Sequence, residues 1–166
     1  MKKLILLFLL CSGGLMIQTT SAQISIRARV GLPSIRANIA VQPVWGPVGY
    51  DHVDNYYLPD IETYYNVSSR QYTYQENGRW VNRTYLPARN RGYDLYKGRK
   101  VVVEGSRPYM RNNEYKAKYA NYNDPSNRGS IRDSRDSKYY VNRNHPEYNN
   151  WRNRNRNRNN QQNEQH

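Results

Sequence analysis

Cysteine is nearly missing: Cys11 is the only one in 166 residues. It lies in an N-terminal apolar run, so a product lacking that run has no thiol. Disulfides, zinc-thiolate sites and cysteine nucleophiles are then excluded. Phenylalanine is as scarce, with Phe8 alone and in the same run. No later stretch approaches the ~20 apolar residues of a membrane span. Histidine is limited to His52, His145 and His166, and no glycine-rich phosphate loop occurs. A small domain of this composition has no covalent staple and must rest on packing.

What is present begins with a targeting signature. Lys2 and Lys3 precede the apolar run Leu4 to Leu10, and Thr20-Ser21-Ala22 places small residues where a signal peptidase reads. The pattern predicts a signal peptide over 1–22, cleavage after Ala22, and an exported chain destined for the periplasm, outer envelope or extracellular space. Lipid anchoring at Cys11 fits less well, because bulky Leu10 precedes it.

The chain carries 26 Lys and Arg against 13 Asp and Glu, net +13; losing Lys2 and Lys3 leaves +11. Such charge favours polyanionic partners: anionic polysaccharide, lipopolysaccharide, or nucleic acid bound without sequence preference. It also serves solubility alone. Seventeen Tyr and three Trp replace the missing Phe. A core built from Tyr must satisfy its hydroxyls.

Three regions follow the signal. In 23–43, Ile24, Ile26, Ala28 and Val30 alternate with Ser25, Arg27 and Arg29, and Ile35, Ala37, Ile39 and Val41 alternate after Gly31-Leu32-Pro33. Period two predicts strands. In 44–120, Ile61, Thr63, Tyr65 and Val67 alternate, Val101-Val102-Val103 reads as a short strand, and a hairpin is predicted over 72–82 around Glu76-Asn77-Gly78. A three-residue loop would set Tyr74 opposite Trp80, so that Tyr72, Tyr74 and Trp80 share one face, with Gly78 at positive φ. A two-residue loop would pair Tyr74 with Val81 and Glu76 with Arg79. The shared apolar face favours the former. One short helix is predicted near 108–120, with Ser106 as a cap, Pro108 in the first turn, and Tyr115, Tyr119 and Tyr122 at helical spacing. Residues 121–166, rich in Asn, Arg and Ser, read as a disordered tail.

The elements Tyr56-Tyr57-Leu58-Pro59-Asp60-Ile61-Glu62, Tyr64-Tyr65, Tyr72-Thr73-Tyr74, Asn77-Gly78-Arg79-Trp80, Leu86-Pro87, Lys100 to Val103 and Arg107-Pro108-Tyr109 follow in that order. This pattern resembles a group of short, exported, tyrosine-rich proteins of Gram-negative bacteria. No activity attaches to the group. The resemblance implies export and a small β-rich domain, and it transfers no functional residue.

For chemistry, Asp51-His52-Val53-Asp54 is the one cluster suited to a metal, and it lacks the convergent partners a site needs. No cofactor is expected. Asp60 and Glu62, two apart on a strand, would share a face and could serve polysaccharide hydrolysis. Interleaved aromatic and basic side chains, Tyr72, Tyr74, Trp80 and Arg70, form a candidate stacking surface, or else these tyrosines are the core. Arg152, Arg154, Arg156 and Arg158 form a candidate polyanion-binding arm.

The expectation is a mainly β protein: a small antiparallel sheet domain, one short helix and a disordered C-terminal tail. Its expected role is non-catalytic binding of an anionic or glycan-rich envelope or extracellular surface. The alternatives are an enzyme acting through Asp60 or Glu62, and a matrix component that self-associates.

Overall fold

The computed structural model describes residues 35–121 and 129–163, all within one unit, Gly31–His166. Five antiparallel strands form one sheet: β1 (Asn55–Leu58), β2 (Thr63–Asn66), β3 (Gln71–Glu76), β4 (Arg79–Arg83) and β5 (Val101–Val103), in the order β4-β3-β2-β1-β5. Helices α1 (Ile35–Val41), α2 (Asn112–Tyr119) and α3 (Tyr148–Asn163) flank it. The mainly β architecture with a small helical part is as expected. The expected strands over 23–34 lie outside the described residues.

Tyrosine is the core residue. On the first face of the sheet Tyr56, Leu58, Tyr65, Tyr72 and Tyr74 pack with Trp45, Val53 and Val67. On the second, Tyr57, Tyr64, Val101 and Val103 pack under Trp80, Tyr109, Tyr115 and Tyr119. Rings meet at tilted or stacked angles: Trp45–Tyr65 at 5.1 Å, Tyr65–Tyr72 at 4.8 Å and Tyr57–Tyr64 at 4.7 Å. Such pairs contribute ~0.5–1.5 kcal/mol beyond the area they bury.

The hydroxyls find partners. Tyr56 donates to Gln42 Oε1 at 3.2 Å, Tyr64 to Asn112 Oδ1 at 2.9 Å and Tyr93 to Asp60 Oδ2 at 2.7 Å. The Tyr139 hydroxyl accepts from the Gly49 N–H at 2.7 Å. Among the described residues, only the Tyr74 hydroxyl is buried without a partner.

The hairpin corrects the expected register. Tyr74 pairs with Val81, Gln75 with Trp80 and Glu76 with Arg79. The loop is the two-residue Asn77-Gly78, with both residues at positive φ, 51° and 74°. That turn matches the strand twist, and Asn and Gly tolerate its backbone. The argument from a single apolar face fails because both faces of this sheet carry an aromatic cluster. Val81 serves the first face and Trp80 is needed on the second. The ion pair of Glu76 is made by Arg83, at 3.1 Å.

Residues 35–41 form α1 rather than a strand. Over seven residues an alternating pattern is also compatible with a helix, and long-range bonds decide. Asn38 and Gln42 lie one turn apart and are joined at 2.9 Å. Asn38 accepts from the Val53 N–H at 2.9 Å and donates to the Val53 carbonyl at 3.2 Å. The predicted helix near 108–120 is a 3-10 turn, Pro108–Arg111, leading into α2, and no side-chain cap from Ser106 is made.

The C-terminal region departs most from expectation. Residues 129–132 run beside 44–48: the Ile131 N–H donates to the Gly46 carbonyl at 2.9 Å and Arg132 N–H to the Val44 carbonyl at 2.9 Å. Ile131 and Tyr139 pack with Ile39 in a core of their own. Asn142 donates to the carbonyls of Ile39 and Gln42, at 3.1 and 2.7 Å. His145 is buried, bonded to the Ser134 carbonyl at 3.1 Å and to the Glu147 N–H at 3.0 Å. The few apolar residues of this segment suffice because Ile131 and Tyr139 are buried, Tyr140 and Val141 half-buried, and the backbone is paired. Beyond it, α3 is a 16-residue helix with no buried residue.

Candidate functional site: an amide-lined trough on the sheet

The register places three amide or hydroxyl rows on the second face. Asn55, Asn66 and Gln71 lie side by side across β1, β2 and β3. Thr73 and Asn82 are paired on β3 and β4, and Gln75 lies opposite Trp80. Helix α2 covers the other half of this face, with Tyr115 and Tyr119 stacked at 6.1 Å over Tyr57. The β3–β4 half remains open.

Two concavities occupy that half. One, about 390 Å³, is lined by Asn66, Gln71, Thr73, Asn82, Arg107 and Tyr109 among others. The other, about 430 Å³, is lined by Gln75, Trp80, Tyr109, Asn112 and neighbours. Tyr109 lines both, and its ring lies 5.2 Å from that of Trp80. The result is a trough of two adjoining hollows that meet at Tyr109, one with the amide floor and the other with Trp80 on its wall.

Part of the floor is held in place from below. Asn55 donates to the Gly105 carbonyl at 2.6 Å, Asn66 donates to Asn55 Oδ1 at 2.8 Å and accepts from the Ser69 N–H at 2.8 Å. Thr73 donates to Asn82 Oδ1 at 2.7 Å. These bonds fix rotamers and leave the Asn82 amide N–H groups without a partner among the described residues. Gln71, Ser106 and Arg107 make no side-chain hydrogen bond with described residues. Neutral donors and acceptors beside flat aromatic rings suit the hydroxyls and apolar faces of sugar rings.

The sequence-predicted residues are dispersed. Tyr72 and Tyr74 are buried on the first face, while Trp80 points to the second. Arg70 sits exposed in the β2–β3 turn at φ 57°. The proposed Tyr72–Tyr74–Trp80–Arg70 surface does not exist. Of the four, Trp80 alone reaches the trough. Gln71, Thr73 and Gln75 were missed, though their alternation with Tyr72 and Tyr74 marks a second, polar side of β3. Arg152, Arg154, Arg156 and Arg158 lie on α3.

The paired carboxylates are also separated from the strand. Asp60 lies in the 3-10 turn Pro59–Ile61 and Glu62 takes a left-handed conformation at its end, φ 46°. Asp60 accepts from Tyr93, from the Arg99 N–H at 3.0 Å and from Arg99 Nε at 2.6 Å. Partial burial pushes its carboxyl up, but these bonds and the guanidinium hold it below the usual range. Glu62 pairs with Lys116 at 2.6 Å. Asp51 pairs with Lys138 at 2.7 Å, and His52 with Asp54 at 3.0 Å.

A larger hollow of about 650 Å³ runs along β5. Its charges, among them Glu104, Arg111, Glu114 and Lys118, are of both signs. Lys100 at its edge is spent on the carbonyls of Leu95, Tyr96 and Gly98, at 2.7, 3.1 and 2.6 Å.

Comparison with protein-family models, curated proteins and solved structures finds no match for this chain. Among the described residues no helix is long and apolar enough to cross a membrane.

Proposed function

We propose that this is an exported, non-catalytic binding protein for a glycan-rich or anionic surface of the envelope or the extracellular space. The observation that carries the reading is the trough, in which Tyr109 stands beside Gln71, Thr73 and Asn82 in one hollow and beside Trp80 and Gln75 in the adjoining one. Sugar rings stack on the aromatic wall while their hydroxyls exchange hydrogen bonds with the floor. The net charge of +11 left after loss of Lys2 and Lys3 adds attraction to anionic surfaces. Asp60 and Glu62 take no part, being committed to Arg99, Tyr93 and Lys116.

The test is retention of the purified protein on insoluble peptidoglycan and on lipopolysaccharide-coated beads. Trp80→Ala and Gln71→Ala should each weaken retention, Trp80→Ala by about tenfold, the loss of one stacking contact worth ~1.4 kcal/mol. Equal retention of wild type and both variants, with unchanged melting temperatures, would remove the trough from the account.

A further inference from the structure

Helix α3 bears arginine on two sides and asparagine between them. An α-helix turns ~100° per residue. Arg152 and Arg156 therefore share one narrow sector, and Arg154 and Arg158 share another, roughly 200° away. Asn153 and Asn157 fall midway on one side, Asn155 and Asn159 midway on the other. Burial orients the helix: Tyr148, Trp151 and Asn155 are half-buried, while Asn153 and Asn157 are exposed. The outward surface thus reads arginine, asparagine, arginine across its width.

Those arginines are unspent. Arg152 lies over the Tyr148 ring at 5.7 Å, and Arg154, Arg156 and Arg158 make no bond with described residues. Tyr148–Asn163 contains no acidic residue. Like charges one turn apart weaken a helix, and asparagine is a poor helix former. With nothing buried, α3 draws little support from the body of the protein. Its stability therefore rises when the arginines are neutralised from both sides at once.

A flat anionic surface neutralises one arginine sector only. A linear polyanion offers phosphate or sulfate but no hydrogen-bonding floor. The major groove of a nucleic acid duplex offers both: phosphate walls on either side and base edges between them. It is ~12 Å wide and admits a helix of ~10–12 Å. We propose that α3 enters the major groove of a B-form duplex, with Arg152 and Arg156 meeting one phosphate wall and Arg154 and Arg158 the other. Asn153 and Asn157 then face the base edges, where asparagine pairs with adenine. This site is separate from the trough and does not depend on it.

The test titrates the exported protein onto a fluorescent 20-base-pair duplex at several NaCl concentrations. Four phosphate contacts predict a slope of log K against log salt of about −3.6. R152Q/R156Q and R154Q/R158Q should each flatten it by about 2 and weaken binding at 0.1 M salt by roughly 50-fold. Helical circular dichroism should rise on duplex binding. Both variants should melt like the wild type, since the replaced side chains are exposed. The groove assignment fails if only one arginine pair matters, which indicates a flat surface. It fails equally if heparin or a single strand of the same charge binds as tightly as the duplex, which indicates a linear polyanion arm.

Discussion

Tyr93 lies directly over Gly98: a side-chain carbon on Gly98 would overlap the Tyr93 hydroxyl and ring. The same hydroxyl donates to Asp60 at 2.7 Å, joining the loop before β5 to the turn after β1. Gly98→Ala should therefore expel Tyr93 and break a charge-assisted bond. The expected loss is about 2–4 kcal/mol in denaturant unfolding, from overpacking and the lost bond together. A loss below ~0.5 kcal/mol would mean that Tyr93 has room to move.

The buried hydroxyls should respond differently to removal. Tyr74→Phe deletes an oxygen that has no partner, so stability should stay level or rise by up to ~1 kcal/mol. Tyr64→Phe leaves Asn112 Oδ1 without its donor and should cost about 1 kcal/mol. Matched urea melts of the two variants would show the opposite order if Tyr74 bonds a partner in solution.

Alkaline pH should unfold the protein. Burial raises the phenols of Tyr56, Tyr57, Tyr64, Tyr72 and Tyr93 above their usual value of 10.0. Those of Tyr57 and Tyr72 are pushed up to about 12. The folded state then holds protons that the unfolded chain releases. Stability is intact below pH 10 and falls as pH rises toward the folded values, by about 1.4 kcal/mol per pH unit for each phenol held neutral. The share of tyrosinate absorbance that belongs to these buried phenols should appear in one step with the loss of circular dichroism. Ionisation of all 17 tyrosines with the fold intact would contradict it.

Truncation separates the two parts of the C-terminal region. A chain ending at Asn121 loses Ile131, Tyr139 and Asn142, and its melting temperature should drop by at least about 10 °C, since each buried apolar side chain contributes ~1.5–3 kcal/mol. A chain ending at Glu147 loses only α3 and should melt within a few degrees of the wild type.

The sequence makes the hairpin and β5 legible, because Asn77-Gly78 and Val101-Val102-Val103 are local signals. It hides β1, whose residues Asn55–Leu58 are all buried and so show no alternation. It also hides α1 and residues 129–145. Their places depend on Asn38, Asn142 and backbone pairing with residues far along the chain. The polar floor is half legible: Gln71, Thr73 and Gln75 alternate openly, but only the register shows them beside Asn66 and Asn82.

The three tryptophans occupy three different settings: Trp45 in the first-face core, Trp80 on the trough wall and Trp151 on α3. Surrounding tyrosines at ring distances of 5.1 to 6.0 Å pass their excitation to them. Emission is therefore divided among three reporters. Two single replacements suffice to assign it: quenching by a soluble glycan that vanishes in Trp80→Phe belongs to the trough, and quenching by duplex that vanishes in Trp151→Phe belongs to the helix. Trp45 stays silent to both and records only whether the protein is folded.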